Sequence, residues 1–414
     1  MQPKMNRNPR ILIVVNVFDP DRGGGGAIFS DLCYGLAERG FDVTVRCAYP
    51  YYPEWKDKSG KNGLNVQRYS KHGVNVERYG IYIPKNPKSL WERLVYEASF
   101  FVSLIRSLPR GGDFDLAMTY CPLVGAVAFG VVWRTLRRHP LWLNVQDLSA
   151  DAAAASGIAR GALIKKTLSG VQKFLFNCAD VWSTISPVMA ARLERVRSGG
   201  QEILYIPNWL NRSMAEAIRD ASAGIPSERT GAIRLLYAGN IGGKQDLRRF
   251  CEFLRKCDVD FQFNIRGDGT EANAMREWIE QSGDSRFSFG SFLAEPDFAR
   301  ALKETDLFVI TEKTGSGGSF IPCKMIAGVS SGAPILAICD KEGPLGMELA
   351  EHDLGPWFAW DNLGGAVDFL KGADRNSERM TTWRKNALRR AEFYNRDTVI
   401  GRFDAEIRRF MNLS

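Results

Sequence analysis

Histidine is almost missing from this chain, with three in 414 residues, His72, His139 and His352, all far apart. A histidine-built metal centre is therefore not expected. The eight cysteines form no CxxC pair and follow no regular spacing. Zinc and disulfides are both disfavoured, and a reducing compartment fits. Repeats of solenoid length and low-complexity tracts are lacking. The opening MQPKMNRNPR is short and polar and runs straight into ILIVVNVF. That apolar run is too short for a signal peptide and has no small-residue cleavage site. One stretch, residues 116–133, approaches the length of a membrane span. Pro122, Gly125 and Gly130 interrupt it, so the expectation is a buried strand, turn and helix of a parallel sheet.

What is present is charge, unevenly placed. Residues 1–209 hold 27 Lys/Arg against 17 Asp/Glu, whereas residues 210–414 hold 28 against 30. A basic first half attracts polyanions. No DNA- or RNA-binding motif accompanies it, so anionic lipid and phosphates are expected rather than nucleic acid.

The length suits two domains of about 150–200 residues each. Apolar strand-like runs alternate with amphipathic helical runs. Strands are expected at residues 10–17, 41–46, 116–118, 141–145 and 181–184, and helices at 27–39, 91–104 and 163–176. The pattern restarts with strands at 233–238, 261–266, 286–289, 307–311 and 334–339 and helices at 247–255, 271–281, 297–304 and 324–330. Such alternation predicts an α/β fold with two Rossmann-like, doubly wound parallel sheets facing a cleft. The polar stretch 211–231 reads as a linker region. The expected division is an acceptor domain over residues 1–210 and a nucleotide-sugar donor domain over 211–385. A basic helical tail, residues 386–414, is expected to pack back on the first domain.

Five loops at strand ends can carry chemistry. The first, DPDRGGGGAIFSDL, includes Gly24 and Gly25 and joins a strand to a helix. Its glycines and the helix N-terminus suit a phosphate, or simply a tight turn. It is neither GxGxxG nor a Walker motif, which weakens the dinucleotide and P-loop readings. The second, NVQDLSADAA, puts Asp147 just past a strand, where a carboxylate can orient an acceptor hydroxyl or take its proton. The alternative is a helix cap. The third, AGNIGGKQDL, places Gly239, Asn240 and Lys244 after a strand. A lysine there can neutralise a diphosphate leaving group. The fourth, IRGDG, offers Arg266 and Gly267 to a base or ribose, or is an ordinary strand-to-helix turn. The fifth runs from Glu312 through Gly317, Gly318 and Ser319 to Lys324 at a helix start. Its amides can bind sugar or phosphates with Lys324 beside the anion.

Together these loops resemble those of retaining glycosyltransferase family 4, which has the GT-B fold. The subgroup they most resemble is the fucosyl- and N-acetylfucosaminyltransferases of colanic-acid and O-antigen synthesis. The carrying segments are YPYYPEW, IYIPKNPKSLWERL, NVQDLSADA, STIS, IPNW, AGNIGGKQDL and PCKMIAGVSSGAPIL, in the family's order. The resemblance implies Lys244 as the donor-phosphate lysine, Gly24 and Gly25 facing the donor pyrophosphate, and Asp147 beside the acceptor. It implies a UDP- or GDP-sugar donor, a polyprenyl-linked saccharide acceptor and no cofactor. No metal is expected, on the ground that no DxD pair stands at a strand end. The chain departs from the family at the E-x7-E pair, whose aligned positions are Ser319 and Ala327. Glu312 is the expected substitute carboxylate among the catalytic candidates Asp147, Lys244 and Glu312. That departure also motivates an alternative, a non-catalytic nucleotide-sugar or glycan-binding partner of an active transferase. A sugar epimerase of the same fold is a weaker option, lacking assignable acid/base carboxylates.

Residues 91–105 carry their own pattern. Trp91, Leu94, Val95, Phe101, Val102 and Ile105 form an apolar surface at helical spacing, flanked by Lys85, Lys88, Arg93, Arg106 and Arg110. An interfacial helix at the cytoplasmic face of the inner membrane would look like this, and so would a core-facing helix. Tyr52, Trp55, Trp91 and Arg93 are the acceptor and membrane candidates.

Overall fold

A computed structural model describes residues 7–21, 25–87, 89–108, 114–147, 162–221, 231–315 and 321–412. They form two units. One contains the chain up to Pro207 and from Ile400 onward; the other is Asn208–Val399.

The first unit is built on β1 (Arg10–Val14), β2 (Asp42–Ala48), β3 (Gln67–Lys71), β4 (Val74–Tyr79), β5 (Leu116–Cys121), β6 (Leu141–Val145), β7 (Val181–Thr184) and β8 (Glu202–Tyr205), in spatial order β3-β4-β2-β1-β5-β6-β7-β8. Between them run α1 (Gly26–Glu38), α2 (Leu90–Ile105), α3 (Val124–Arg137), α4 (Ala162–Asn177) and α5 (Pro187–Val196). Every pairing is parallel except β3 with β4. Central strands are buried along their length, as in β5 and β6, which is why they read as unbroken apolar runs. The stretch 116–133 is β5, a turn and most of α3, as expected. Among the described residues no helix is long and apolar enough to cross a membrane.

Helix ends follow local chemistry. Gly25, at φ 88, turns the chain into α1, and Gly40, also at φ 88, follows its end. Helix α3 has no side-chain cap of its own. Glu97 of α2 supplies one, its carboxylate accepting Gly125 N–H at 2.8 Å. Helix α2 buries Tyr96, Phe100 and Leu104, spaced four apart, and leaves Trp91, Leu94 and Val102 exposed.

The second unit holds β9 (Ile233–Asn240), β10 (Phe261–Asp268), β11 (Phe287–Gly290), β12 (Leu307–Thr311), β13 (Ile335–Ile338) and β14 (Trp357–Phe358), in order β11-β10-β9-β12-β13-β14, all parallel. Its helices are α6 (Arg212–Asp220), α7 (Leu247–Arg255), α8 (Ala272–Ser282), α9 (Glu295–Glu304), α10 (Cys323–Ser331), α11 (Pro344–His352), α12 (Leu363–Lys371), α13 (Glu378–Ala391) and the start of α14 (Arg396–Phe410). Two apolar clusters build the core. One includes Phe250, Phe263, Leu336 and Trp383; the other includes Phe308, Ile310, Met325 and Leu345. Fully burying side chains of this size contributes about 1.5–3 kcal/mol each.

Three expectations need correction. The first sheet is not wholly parallel: an antiparallel hairpin, β3–β4, forms its edge, in a stretch for which no element is expected above. The region 211–231 is not all linker, because α6 occupies its start, capped by Asn211 accepting Met214 N–H at 2.9 Å. The terminal helix is two helices, broken by a 3-10 turn at Glu392–Tyr394 and by Asn395 in extended backbone. Residues 386–399 group with the second unit and the chain from Ile400 with the first. There Phe403 lies against Trp142, ring centroids 6.1 Å apart, and Arg408 donates to the Arg39 carbonyl at 3.0 Å.

Candidate functional site

In each sheet the strand order reverses beside its first strand, between β1 and β5 and between β9 and β12. Ligands of doubly wound sheets bind outside the carboxyl ends at such switch points. Of the sequence-picked residues of the second unit, Gly239, Asn240, Lys244, Gly267, Glu312 and Lys324 stand at that end of the sheet. Gly239 and Gly267 face each other across β9 and β10. A Cβ on Gly267 would lie 1.9 Å from the Gly239 carbonyl oxygen, so only glycine lets the two strand ends close this tightly. Asn240 Nδ2 donates to Gln245 Oε1 at 3.2 Å, and the same oxygen accepts Gly242 N–H at 3.1 Å. Lys244 is exposed in that turn. Its carbonyl accepts Lys313 N–H at 2.8 Å, joining the loops after β9 and β12.

Lys324 and Glu312 converge on the same place. Lys324 stands at the start of α10, a helix whose N-cap, Pro322, offers no side-chain cap. Its ammonium lies 4.2 Å from the Tyr237 ring centroid, and its stem packs 3.6 Å from where a Cβ on Gly239 would be. Burial pulls the Lys324 pKa down to about 8, with Glu312 opposing. Burial pushes Glu312 up to about 7, opposed by Lys324 and reinforced by Asp340. Glu312 is held by its backbone: its carbonyl accepts the Trp360 indole N–H at 2.7 Å. Trp360 and Tyr237, whose hydroxyl donates to the Asn240 carbonyl at 2.6 Å, were not picked from sequence. Arg266 lies apart, over Gly290, with Nε donating to Asn264 Oδ1 at 2.8 Å. Gly317, Gly318 and Ser319 lie outside the described residues, as does Gly24.

In the first unit Asp147 follows β6, and its carbonyl accepts the Cys121 thiol at 3.1 Å. Tyr52, Trp55 and Arg93 come together. The Trp55 ring sits 5.6 Å from the rings of both Tyr51 and Tyr52 and 5.8 Å from that of Tyr96. The Arg93 guanidinium is 5.0 Å from the Trp55 centroid. Tyr51 and Tyr96 share a 2.6 Å hydroxyl contact, and Asn16 donates to both. Trp91, by contrast, is 73% exposed.

The aspartates of the glycine loop were overlooked in the sequence, although Asp19-Pro20-Asp21 is a DxD spacing after a strand. A DxD pair thus does follow the first strand, contrary to the expectation above. The two carboxylates have different partners. Asp19 accepts Lys71 Nζ at 2.5 Å and the Tyr34 hydroxyl at 2.9 Å. Asp21 accepts Tyr51 N–H at 2.7 Å, Tyr52 N–H at 2.8 Å and Lys58 Nζ at 3.1 Å. No single residue spacing announces partners 15 to 52 positions away.

Two parallel-sheet units with glycine-bearing loops at their strand ends are the architecture of a GT-B glycosyltransferase, and with the likenesses that follow that is the class of this enzyme. Residues 23–209 match the family model described as a glycosyl transferase 4-like domain. A curated relative from Escherichia coli (strain K12), described as the colanic acid biosynthesis glycosyl transferase WcaI, is 26% identical over 79% of this chain and 83% of its own. Among solved structures, the sucrose-phosphate synthase of Thermosynechococcus elongatus superposes with a TM-score of 0.73 over 98% of this chain and 100% of that one, at 15% identity. Alr3699/HepE of Anabaena, in complex with UDP and glucose, superposes with a TM-score of 0.66 over 97% and 99%, also at 15% identity. At such identity the structural likeness speaks for the fold.

Proposed function

We propose that this enzyme moves a hexose, in particular a 6-deoxyhexose such as fucose or N-acetylfucosamine, from a UDP- or GDP-sugar to a polyprenyl-linked saccharide in bacterial surface-polysaccharide synthesis. The observation that carries the donor side is the convergence of Lys324, Glu312 and Tyr237 beside the glycine-lined ends of β9 and β10. Lysine charge and the N-terminus of α10, whose N-cap Pro322 has no capping side chain, suit a diphosphate. The solved neighbour holding UDP and glucose supports the same donor class, and the colanic acid relative supports the polysaccharide setting.

In the proposed reaction the bond from the anomeric carbon to the donor β-phosphate oxygen breaks, and the acceptor hydroxyl oxygen bonds to that carbon with retention. The acceptor proton passes to the departing phosphate or to Asp147. Lys244 and Lys324 neutralise the charge that grows on the leaving diphosphate, in the role a divalent ion plays elsewhere, so no metal is called for. Arg266 and Gly267 border the nucleoside, and Gly25 offers backbone to a phosphate. Tyr52 and Trp55 serve the acceptor.

The enzyme is proposed to work on the cytoplasmic face of the inner membrane. The exposed Trp91, Leu94 and Val102 of α2, with Arg93 and Arg106 beside them, support contact with anionic lipid. A thermal-shift panel of UDP- and GDP-sugars tests the donor class, because a ligand at 100 times its Kd stabilises by about 2.7 kcal/mol. Stabilisation by one base class, and nucleotide release when bacterial membrane lipid extract is added, are expected. No shift and no release with any donor would reject the reading.

A further inference from the structure

The glycine loop and the YPYYPEW segment are separate features in the sequence, yet one side chain joins them. Asp21 is only 3% exposed. Its carboxylate takes hydrogen bonds from two successive amides, Tyr51 and Tyr52, and from the Lys58 ammonium. Its carbonyl oxygen lies 2.3 Å from where a Cβ on Gly26 would stand, so the same residue also sits against the first turn of α1. Lys58 in turn donates to the Tyr52 carbonyl at 2.5 Å, which closes the loop on itself.

The loop held this way is under strain. Trp55 has φ 53, a left-handed backbone that costs a bulky residue about 1–2 kcal/mol. Such strain persists only where the surroundings over-determine it, and it concentrates at functional sites. Here the surroundings are the rings of Tyr51, Tyr52 and Tyr96, the Arg93 guanidinium, and the Asp21 carboxylate behind them. Charge-assisted bonds from a carboxylate to backbone N–H groups are the strong kind. Asp19, two residues earlier, faces the other way, to Lys71 and Tyr34. The two aspartates thus divide the labour: one fixes the loop's root to the edge hairpin, the other fixes the aromatic loop to that root.

We propose that Asp21 is a positioning residue, a strap that sets the aromatic loop of Tyr52 and Trp55 in register with the root of the glycine loop so that the acceptor saccharide is presented correctly. This rests on the acceptor role given above to Tyr52 and Trp55. Asp21→Asn is the informative variant. Tyr51 and Tyr52 N–H share one carboxylate oxygen and Lys58 takes the other. The amide oxygen therefore still meets both N–H groups, but as a neutral, weaker acceptor, while the new NH2 group faces the Lys58 ammonium, donor against donor.

Hydrogen exchange and steady-state kinetics test this together, with the responsive nucleotide sugar as donor and bacterial membrane lipid extract as acceptor. In Asp21→Asn, the Tyr51 and Tyr52 amides should exchange about tenfold faster or more, as expected when local protection falls by about 1.4 kcal/mol. The apparent acceptor KM should rise by a similar factor, with donor KM and kcat at saturating acceptor changed less than about twofold. Lys58→Gln keeps both amide bonds and should shift the same two readouts in the same direction, but less. Unchanged exchange overturns the strap. Faster exchange with donor and acceptor KM rising in parallel makes Asp21 merely structural, which also overturns it. Should Asp21→Asn fail to fold, Lys58→Gln decides, and no effect there overturns the proposal. A wild-type protein that releases no nucleotide from any donor sinks the transferase role of the loop, and exchange then judges the strap by itself.

Discussion

The Lys324 ammonium lies over the ring of Tyr237, 4.2 Å from its centroid. A cation held against an aromatic face gains from the ring quadrupole, yet Lys324 still gives up its proton early, at about 8, because burial disfavours the charge. Binding of an anion there should therefore be pH-dependent. Affinity for UDP or GDP is expected to fall as pH rises through about 8, with log Kd rising by about one per pH unit beyond it. Glu312→Gln removes the counter-charge that raises the lysine pKa, so its midpoint should move lower. Calorimetric titrations of both proteins across this range check the point; a flat profile would remove Lys324 from the site.

The same pair writes itself into stability. Unfolded, the Glu312 carboxyl loses its proton near 4.5; folded, it keeps it to about 7. The folded state binds more protons between those values, so this group lowers stability as pH rises from about 4.5 to about 7. Lys324 works in the opposite sense. Its unfolded ammonium holds its proton to about 10.5 and the folded one to about 8, so stability returns as pH rises between them. Thermal denaturation of Glu312→Gln should show a smaller loss between about pH 4.5 and 7 than the wild type, the remainder coming from Glu97, which burial also pushes up to about 7. Identical pH profiles for the two would contradict the burial of this carboxyl.

Gly267 has no strained φ; what requires glycine there is a neighbour, the Gly239 carbonyl. A methyl group must push β9 and β10 apart at their carboxyl ends, where the donor is proposed to bind. Gly267→Ala should cost about 1–3 kcal/mol in urea unfolding and weaken nucleotide binding as well. A variant with unchanged stability would mean that these strand ends part freely.

Much of this frame was readable beforehand, and the reason is physical. Strands such as Leu141–Val145 and Leu307–Thr311, and the helix Leu247–Arg255, fall where periodicity put them. Parallel strands buried on both faces, and helices with one apolar stripe, declare themselves. The β3–β4 hairpin did not, because its edge strand QRYSK is largely exposed and charged. Helix α6 buries only Met214 and Ile218, too thin a stripe to stand out from a linker. At the site, glycines and lysines after strands were visible as candidates. Tyr237, Trp360 and Asp21 were not, because their roles depend on partners that only the fold brings near.

Lys244 offers a sharper test of chemistry than of fold. It is exposed in the turn after β9. Lys244→Ala should therefore leave stability within about 0.5 kcal/mol. If the side chain neutralises the leaving diphosphate, turnover should drop about 100-fold or more. Near-wild-type turnover would reassign that role to Lys324 alone.

Helix α2 makes a prediction about lipid. Its core seam is Tyr96, Phe100 and Leu104, so Trp91, 73% exposed, and Val102, 57% exposed, are not needed to hold the unit together. Tryptophan favours the membrane interface, where its ring is half in hydrocarbon, and each lysine or arginine near an anionic surface adds about 1 kcal/mol. The wild type should pellet with vesicles containing phosphatidylglycerol, less with phosphatidylcholine alone, and less as salt rises. Trp91→Glu replaces an anchoring ring with a charge that the surface repels, and should cut vesicle binding about tenfold, a loss of about 1.4 kcal/mol. Its nucleotide binding should be untouched, since Trp91 is exposed on α2 and has no part in the proposed donor site. Equal pelleting of both proteins, or indifference to lipid charge, would assign the exposed face of α2 to something other than a membrane.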